Sequence, residues 1–260
     1  MGRFVRSFCC LSSIVVSAGF GPMAHAESDS AGASQWEWSI TPYVWLADTS
    51  FELKARDQSI GAGEIDFGEL ADALDGAFQI LVETGHGHWS GFVDFTYLSM
   101  SDDQRVELPN LGSLRVDTGS DQYFVDAVIA YWPWPDVSGF NVYAGLRYTD
   151  LEDRIEVALV DPAAPLGVID IDRSYSDVLI GMRDRFKLVE NWTLVIRMDY
   201  GFGDSDGVFL AEAAVRWAVG RERRQGLVLG YRYKEAEFDG NGLEEYYEYK
   251  GPALGFNFRF

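Results

Sequence analysis

Residues 250–260, KGPALGFNFRF, set Leu254, Phe256, Phe258 and Phe260 in alternation with Ala253, Gly255, Asn257 and Arg259. Period-two alternation gives a strand one apolar face and one small or polar face. A soluble sandwich and the wall of a membrane barrel both accept such a strand, so its own residues do not separate the two. The length and arrangement of its companions do.

Ten segments share the pattern: 36–47, 78–85, 89–100, 121–132, 140–151, 174–187, 192–203, 208–219, 226–237 and 247–260. Most run 10 to 14 residues, about twice the usual globular strand and the length of a tilted membrane-crossing one. Their connectors alternate. Those near 85–88 (GHGH), 133–139 (PWPDVSG), 189–191 and 220–225 are short, whereas 48–77, 101–120 and 152–173 are long and 203–207 and 238–246 modest. Tight turns at one end and longer loops at the other predict an all-β, antiparallel, up-and-down transmembrane barrel of ten strands. Eight and twelve are the alternatives, because 48–64 has room for a further hairpin and the second segment is short.

Aromatic residues sort along the same axis. Trp36, Trp38, Trp89, Trp132, Trp134, Trp192 and Trp217, seven of the eight tryptophans, fall at the short-turn end, while Tyr97, Tyr123, Tyr148, Tyr175, Tyr200 and Tyr231 occupy the opposite half. Aromatic rings gather at membrane interfaces, and a soluble sandwich gives tryptophan no reason to choose one end of every strand. Charge follows: loop 48–77 carries Asp48, Glu52, Asp57, Glu64, Asp66, Glu69, Asp72 and Asp75 against Lys54 and Arg56, and the short turns carry Arg221, Arg223 and Arg224. In that loop Ile65, Phe67, Leu70, Ala71 and Leu74 stand near helical spacing behind Asp66 and Glu69, which resemble a capping box. A short helix over 65–75 is expected in this first extracellular loop, capping the mouth, plugging the lumen or lying on the rim.

The chain opens with Arg3 and Arg6, an apolar run and Ala24-His25-Ala26, the pattern of a signal peptide (1–26); a periplasmic segment, 27–35, and the barrel, 36–260, are expected to follow. Cys9 and Cys10 both lie in the leader, leaving no thiol chemistry behind it. No later stretch approaches the about twenty uncharged apolar residues of a membrane helix. All 41 acidic residues and 19 of the 21 basic ones follow Ala26, a net charge of about −22, which excludes nucleic acid as a partner.

The ending KGPALGFNFRF also resembles the terminal signature of Gram-negative outer-membrane β-barrels, and ITPYVWLADTSFEL, IDFGELADALDGAF, GFVDFTYLSMSD, YAGLRYTDLE, LVLGYRYKEAEFDG and GPALGFNFRF are similar to a group of uncharacterised members. The resemblance implies an outer-membrane location and an assembly signal at Phe256, Phe258 and Phe260 read by the barrel assembly machinery. It implies no catalytic activity.

The residues opposite the lipid face define the expected lumen. Glu83, Asp94, Asp126, Arg147, Arg183, Arg197, Asp199, Glu212 and Arg232 are the pore-lining candidates; Glu37, Thr41, Tyr43, Thr96, Asp177, Arg185, Arg216, Lys234, Asn257 and Arg259 share their face. Acids and bases occur there in similar numbers. Buried charges require partners, so an ion-pair network filling the barrel is the first expectation. A narrow porin-like channel, concentrated on Arg147, Arg197, Arg232, Asp94 and Asp126, is the alternative. A lipid- or peptide-modifying enzyme is the third: the only histidines behind the leader, His86 and His88, lie in the periplasmic GHGH turn, far from the outer rim. Their glycine neighbours read as turn formers, and no metal or cofactor is expected. Gly61-Ala62-Gly63 and Gly201-Phe202-Gly203 lack the context of a nucleotide site. Outer-membrane lipids and lipopolysaccharide are the expected surroundings, the acidic loops attracting divalent cations that bridge lipopolysaccharide phosphates.

Overall fold

The computed structural model describes residues 36–260 apart from 56–57, 109–111, 136–138, 161–163 and 241–242. The expected leader, the 27–35 segment and the middle of the 133–139 turn lie outside the described residues. The elements are β1 (Glu37–Trp45), β2 (Asp48–Ala55), β3 (Gln58–Ile65), α1 (Phe67–Ala73), β4 (Leu74–His86), β5 (Trp89–Leu108), β6 (Gly112–Tyr131), β7 (Asn141–Leu159), β8 (Ala164–Val189), β9 (Trp192–Gly203), β10 (Gly207–Val219), β11 (Gln225–Gly240) and β12 (Leu243–Arg259).

Neighbouring strands pair antiparallel, and β12 returns to β1, with Ser39 opposite Arg259 and Trp45 opposite Ala253. At the closure Phe260 N donates to Trp38 O at 2.9 Å. The ring holds ten strands, β1 and β4 to β12. The 250–260 stretch is its closing strand: Leu254 and Phe260 face outward, exposed, whereas Gly251, Gly255 and Asn257 are buried on the inner face. Closure removes the free edges that an open sheet would present.

Several boundaries differ from the sequence reading. The second wall strand begins at Leu74, not 78. Most of the connectors 101–120 and 152–173 is ladder, β5–β6 pairing as far as Leu108 and Gly112 and β7–β8 as far as Leu159 and Ala164. These ribbons stand in water, where no lipid demands an apolar face, so charges such as Arg115 and Asp117 hide the strand signal. The 48–64 stretch does form a hairpin, β2–β3, but outside the ring: β2 follows β12 from Lys250 opposite Asp48 to Leu243 opposite Ala55.

That hairpin leaves a seam in the wall. β1 pairs with β4 only from Glu37–Gly85 to Pro42–Ile80. Pro42 has no N–H for a ladder, and beyond it the β4 edge over 74–79 has no strand partner on that side among the described residues. The Gln79 side chain takes over one bond, its Oε1 accepting from Trp45 N at 2.6 Å.

The outer face is apolar between two aromatic levels. Trp36, Trp38, Trp89, Trp134, Trp192 and Trp217 mark the short-turn end, where the Gly87 turn (φ 59°) reverses the chain. Val93, Ile129, Leu146, Val178, Ile180 and Leu229 form part of the band between, and Tyr148, Tyr200 and Tyr231 stand above it. Trp132 and Tyr175 depart from the expected belts. Both turn inward, Trp132 Nε1 donating to Ser90 Oγ at 2.7 Å and Tyr175 stacking on Phe238 at 4.1 Å. Position along a strand fixes height; parity fixes side.

Gly145 marks a tight strand contact: a Cβ there would lie 2.0 Å from Ala127 O and 2.7 Å from Val128 Cα. Backbone cannot yield as a side-chain tip can, so Gly145→Val is expected to cost about 1–3 kcal/mol. Gly76, with nothing within 4 Å of its virtual Cβ, is the control, and Gly76→Val should stay within about 0.5 kcal/mol of wild type. Urea titration of folding into lipid vesicles compares them.

Candidate functional site

The interior divides into three levels. Near the short-turn end, Glu83 on β4 pairs with Arg183 and Arg185 of β8, the latter at 2.8 Å. Arg183 lies over Phe92 at 5.0 Å and Arg185 over Trp132 at 5.1 Å. Opposite them Arg216 Nε donates to Asn257 Oδ1 at 2.7 Å, and Asn257 Nδ2 to Thr41 Oγ1 at 2.8 Å. Phe92, Val128, Ala130, Tyr143 and Leu179 pack as a buried apolar cluster at this side of the lumen.

Mid-barrel, the ion pairs form one connected network. Arg147 holds Asp126 with both arms, Nε to Oδ1 at 2.7 Å and Nη2 to Oδ2 at 2.8 Å, and Nη2 also reaches Asp199 at 2.8 Å. Arg197 bonds Asp199 at 2.8 Å, Asp126 at 2.8 Å and Asp94 at 3.2 Å. Arg232 bonds Glu212 at 2.7 Å and Asp94 at 3.1 Å. Two tyrosines complete it: Tyr43 donates to Asp94 Oδ1 at 2.6 Å and Tyr143 to Asp199 Oδ2 at 2.9 Å. Gly181 makes room for Tyr143, since a Cβ there would meet its ring at 2.5 Å. Bidentate, charge-assisted bonds of this kind compensate the desolvation of the ions they join.

Above the network the barrel is hollow. A cavity of about 300 Å³ is walled by apolar side chains, among them Phe51, Leu98, Phe124 and Leu210. The helix lies across it, Phe67, Leu70 and Ala71 facing the space. Of the three placements open to the helix, it caps this chamber. Asp66 is its N-cap, accepting from Glu69 N at 3.0 Å, and Asp48 Oδ1 accepts from Phe67 N at 2.8 Å. Beside the chamber, Tyr247 donates to Glu245 Oε2 at 3.0 Å, and Glu245 pairs with Arg173. Burial, reinforced by the Glu245 carboxylate, pushes the Tyr247 hydroxyl well above its usual range, so it stays protonated as donor.

All nine pore-lining candidates face the interior. Asp94, Asp126, Arg147, Arg183, Arg197, Asp199 and Arg232 are buried, each at most 8% exposed, while Glu83 and Glu212 keep side-chain exposures of 18% and 19%. The network brings together Asp94, Asp126, Arg147, Arg197, Asp199, Glu212 and Arg232; Glu83 and Arg183 belong to the lower level. Sequence reasoning missed Tyr143 and Gln79, although parity with Arg147 and Glu83 marks both as inward. His86 and His88 sit at the tight β4–β5 turn, His88 Nδ1 at 2.8 Å from Trp132 O. Among the described residues no cluster of three metal-ligating side chains occurs.

The chain matches no protein-family model, and no curated protein matches its sequence. Solved structures do match in shape. The outer membrane protease OmpT of Escherichia coli aligns over 90% of this chain and 99% of its own at 9% identity and a TM-score of 0.52. The translocator domain of the autotransporter NalP from Neisseria meningitidis aligns over 88% and 90% at 9% identity and 0.49. Ail, the attachment invasion locus protein of Yersinia pestis, aligns over 87% and 99% at 10% identity and 0.38. At 9% identity the likeness to OmpT carries fold alone. With that fold and an apolar outer band between aromatic levels, the protein is a transmembrane barrel of the bacterial outer membrane.

Proposed function

We propose that the protein is a non-enzymatic outer-membrane barrel with a structural or interaction role, its charged lumen closed at mid-height. The burial of the network carries this reading. Side chains lining a water-filled path stay exposed to it, whereas Arg147, Arg197 and Asp199 are 2%, 4% and 3% exposed. Ten strands enclose more than the eight that side chains just fill, and arginine, tyrosine and phenylalanine have the bulk to occupy the difference.

Planar-bilayer recording tests it. The closed reading expects no discrete conductance from wild-type protein, whereas a narrow channel expects discrete steps that Arg197→Ala alters. OmpT is a protease by name, but this chain keeps its two post-leader histidines at the periplasmic end, which supports a non-enzymatic role; turnover of a peptide or lipid by purified protein would overturn it. Outer-membrane lipid and lipopolysaccharide are its surroundings under this reading. Phe256, Phe258 and Phe260 act as the assembly signal, with Phe260, 68% exposed, open to recognition at the periplasmic end.

A further inference from the structure

We infer that the chamber beneath α1 is a binding site for a small amphiphile, an alkyl or aryl chain ending in a carboxylate. The walls supply the first half of the argument. About 300 Å³ lined mainly by Phe51, Phe67, Leu70, Leu98, Phe124 and Leu210 is at the lower end of ordinary ligand pockets. An apolar chamber of that size favours a chain of medium length over water.

Lys234 supplies the second half. It projects from β11 into the chamber, 6% exposed, its Nζ 3.9 Å from the Phe124 ring centroid. The three network arginines each hold at least two carboxylates. Lys234 holds none: among the described residues no carboxylate pairs with it and no acceptor takes a hydrogen bond from Nζ. It balances the charge of Asp94, Asp126, Asp199 and Glu212 against three arginines only at a distance. An ammonium carries three donors, and a buried charge without hydrogen bonds is costly. Arg147 also borders the chamber, and its Nη1 is buried without an acceptor. Two groups that only donate call for a head that only accepts. A carboxylate is acceptor-only, whereas an alcohol spends part of its capacity as a donor and an alkylammonium has nothing to accept with.

The test is calorimetric titration of the full chain in lipid nanodiscs with decanoate, decanol and decylammonium, each corrected for empty discs. Decanoate should bind saturably at one site, at least tenfold tighter than decanol, with no saturable site for decylammonium. Shortening the carboxylate should weaken binding about fourfold per methylene. Lys234→Met should bring decanoate down to the decanol level. Leu98→Trp, which fills the chamber from β5 without touching the charges, should abolish both, heat-modifiable gel mobility reporting that each variant is folded. Equal affinity for decanoate and decanol, unchanged decanoate binding in folded Lys234→Met, or no saturable signal above empty discs overturns the inference.

Discussion

Arg197→Met is expected to lower the free energy of folding into lipid vesicles by about 3–5 kcal/mol. Arg197 touches three carboxylates, those of Asp199, Asp126 and Asp94, and lies 4.8 Å above the Phe92 ring. Methionine fills much of the same volume and keeps the ring contact, but it leaves Asp94, Asp126 and Asp199 with Arg147 and Arg232 as their remaining network arginines. Removing one partner from a buried network strands charge that water cannot reach, which is why the loss exceeds the net worth of the pairs themselves. Arg197→Lys should fall between wild type and Arg197→Met, because one ammonium cannot span carboxylates arranged for a fork. The surface pair Arg115–Asp117 is the reference: at 2.8 Å its geometry is as good, but its side chains are 56% and 37% exposed, so water and salt screen it and Arg115→Ala should leave stability close to wild type. Urea titrations of vesicle-inserted protein measure all three. A loss for Arg197→Met no larger than for Arg115→Ala would mean that the interior is wetter than the network requires.

The face each of these residues occupies was readable from sequence; the partner it finds there was not. Once KGPALGFNFRF fixes one strand's parity, alternation assigns Asp94, Asp126, Arg147, Arg197 and Arg232 to the inside. Pairing, however, joins Asp94 to Arg197 across 103 residues and to Arg232 across 138, and depends on shear and tilt that no single strand records. Tyr143 is hidden for a different reason: a phenol reads equally well as an outer-belt residue. Trp132 and Tyr175 show that height along the barrel, which the sequence places correctly for both, does not by itself tell which side a ring faces. The chamber was the least legible feature. It arises where β1 parts from β4 at Pro42 and the chain continues along β12 as β2, so its walls combine the α1 turn, the β2 hairpin and the upper reaches of β5, β6 and β10.

These features share one cause. Between the aromatic levels the outer surface meets lipid, so backbone bonds must close within the ring and polar side chains must turn inward, where they need one another. Beyond the membrane that constraint lapses. The ribbons of β5–β6 and β7–β8 carry charge on both faces, the wall opens at the β4 edge, and a short capped helix suffices to cover the space within.

Leu146→Arg tests this cause most directly. Leu146 points outward, 64% exposed, opposite Ala127 and Val178 in an all-apolar neighbourhood, midway between the Tyr131 and Tyr123 levels of β6. Its neighbour Arg147 points inward, 2% exposed and paired with Asp126 and Asp199. The same guanidinium one residue earlier in the chain would face hydrocarbon. In lipid vesicles the substitution should cost about 2–4 kcal/mol of folding free energy; on a surface facing water, exchanging an exposed leucine for arginine would change stability by no more than about 0.5 kcal/mol, and that result would contradict the account.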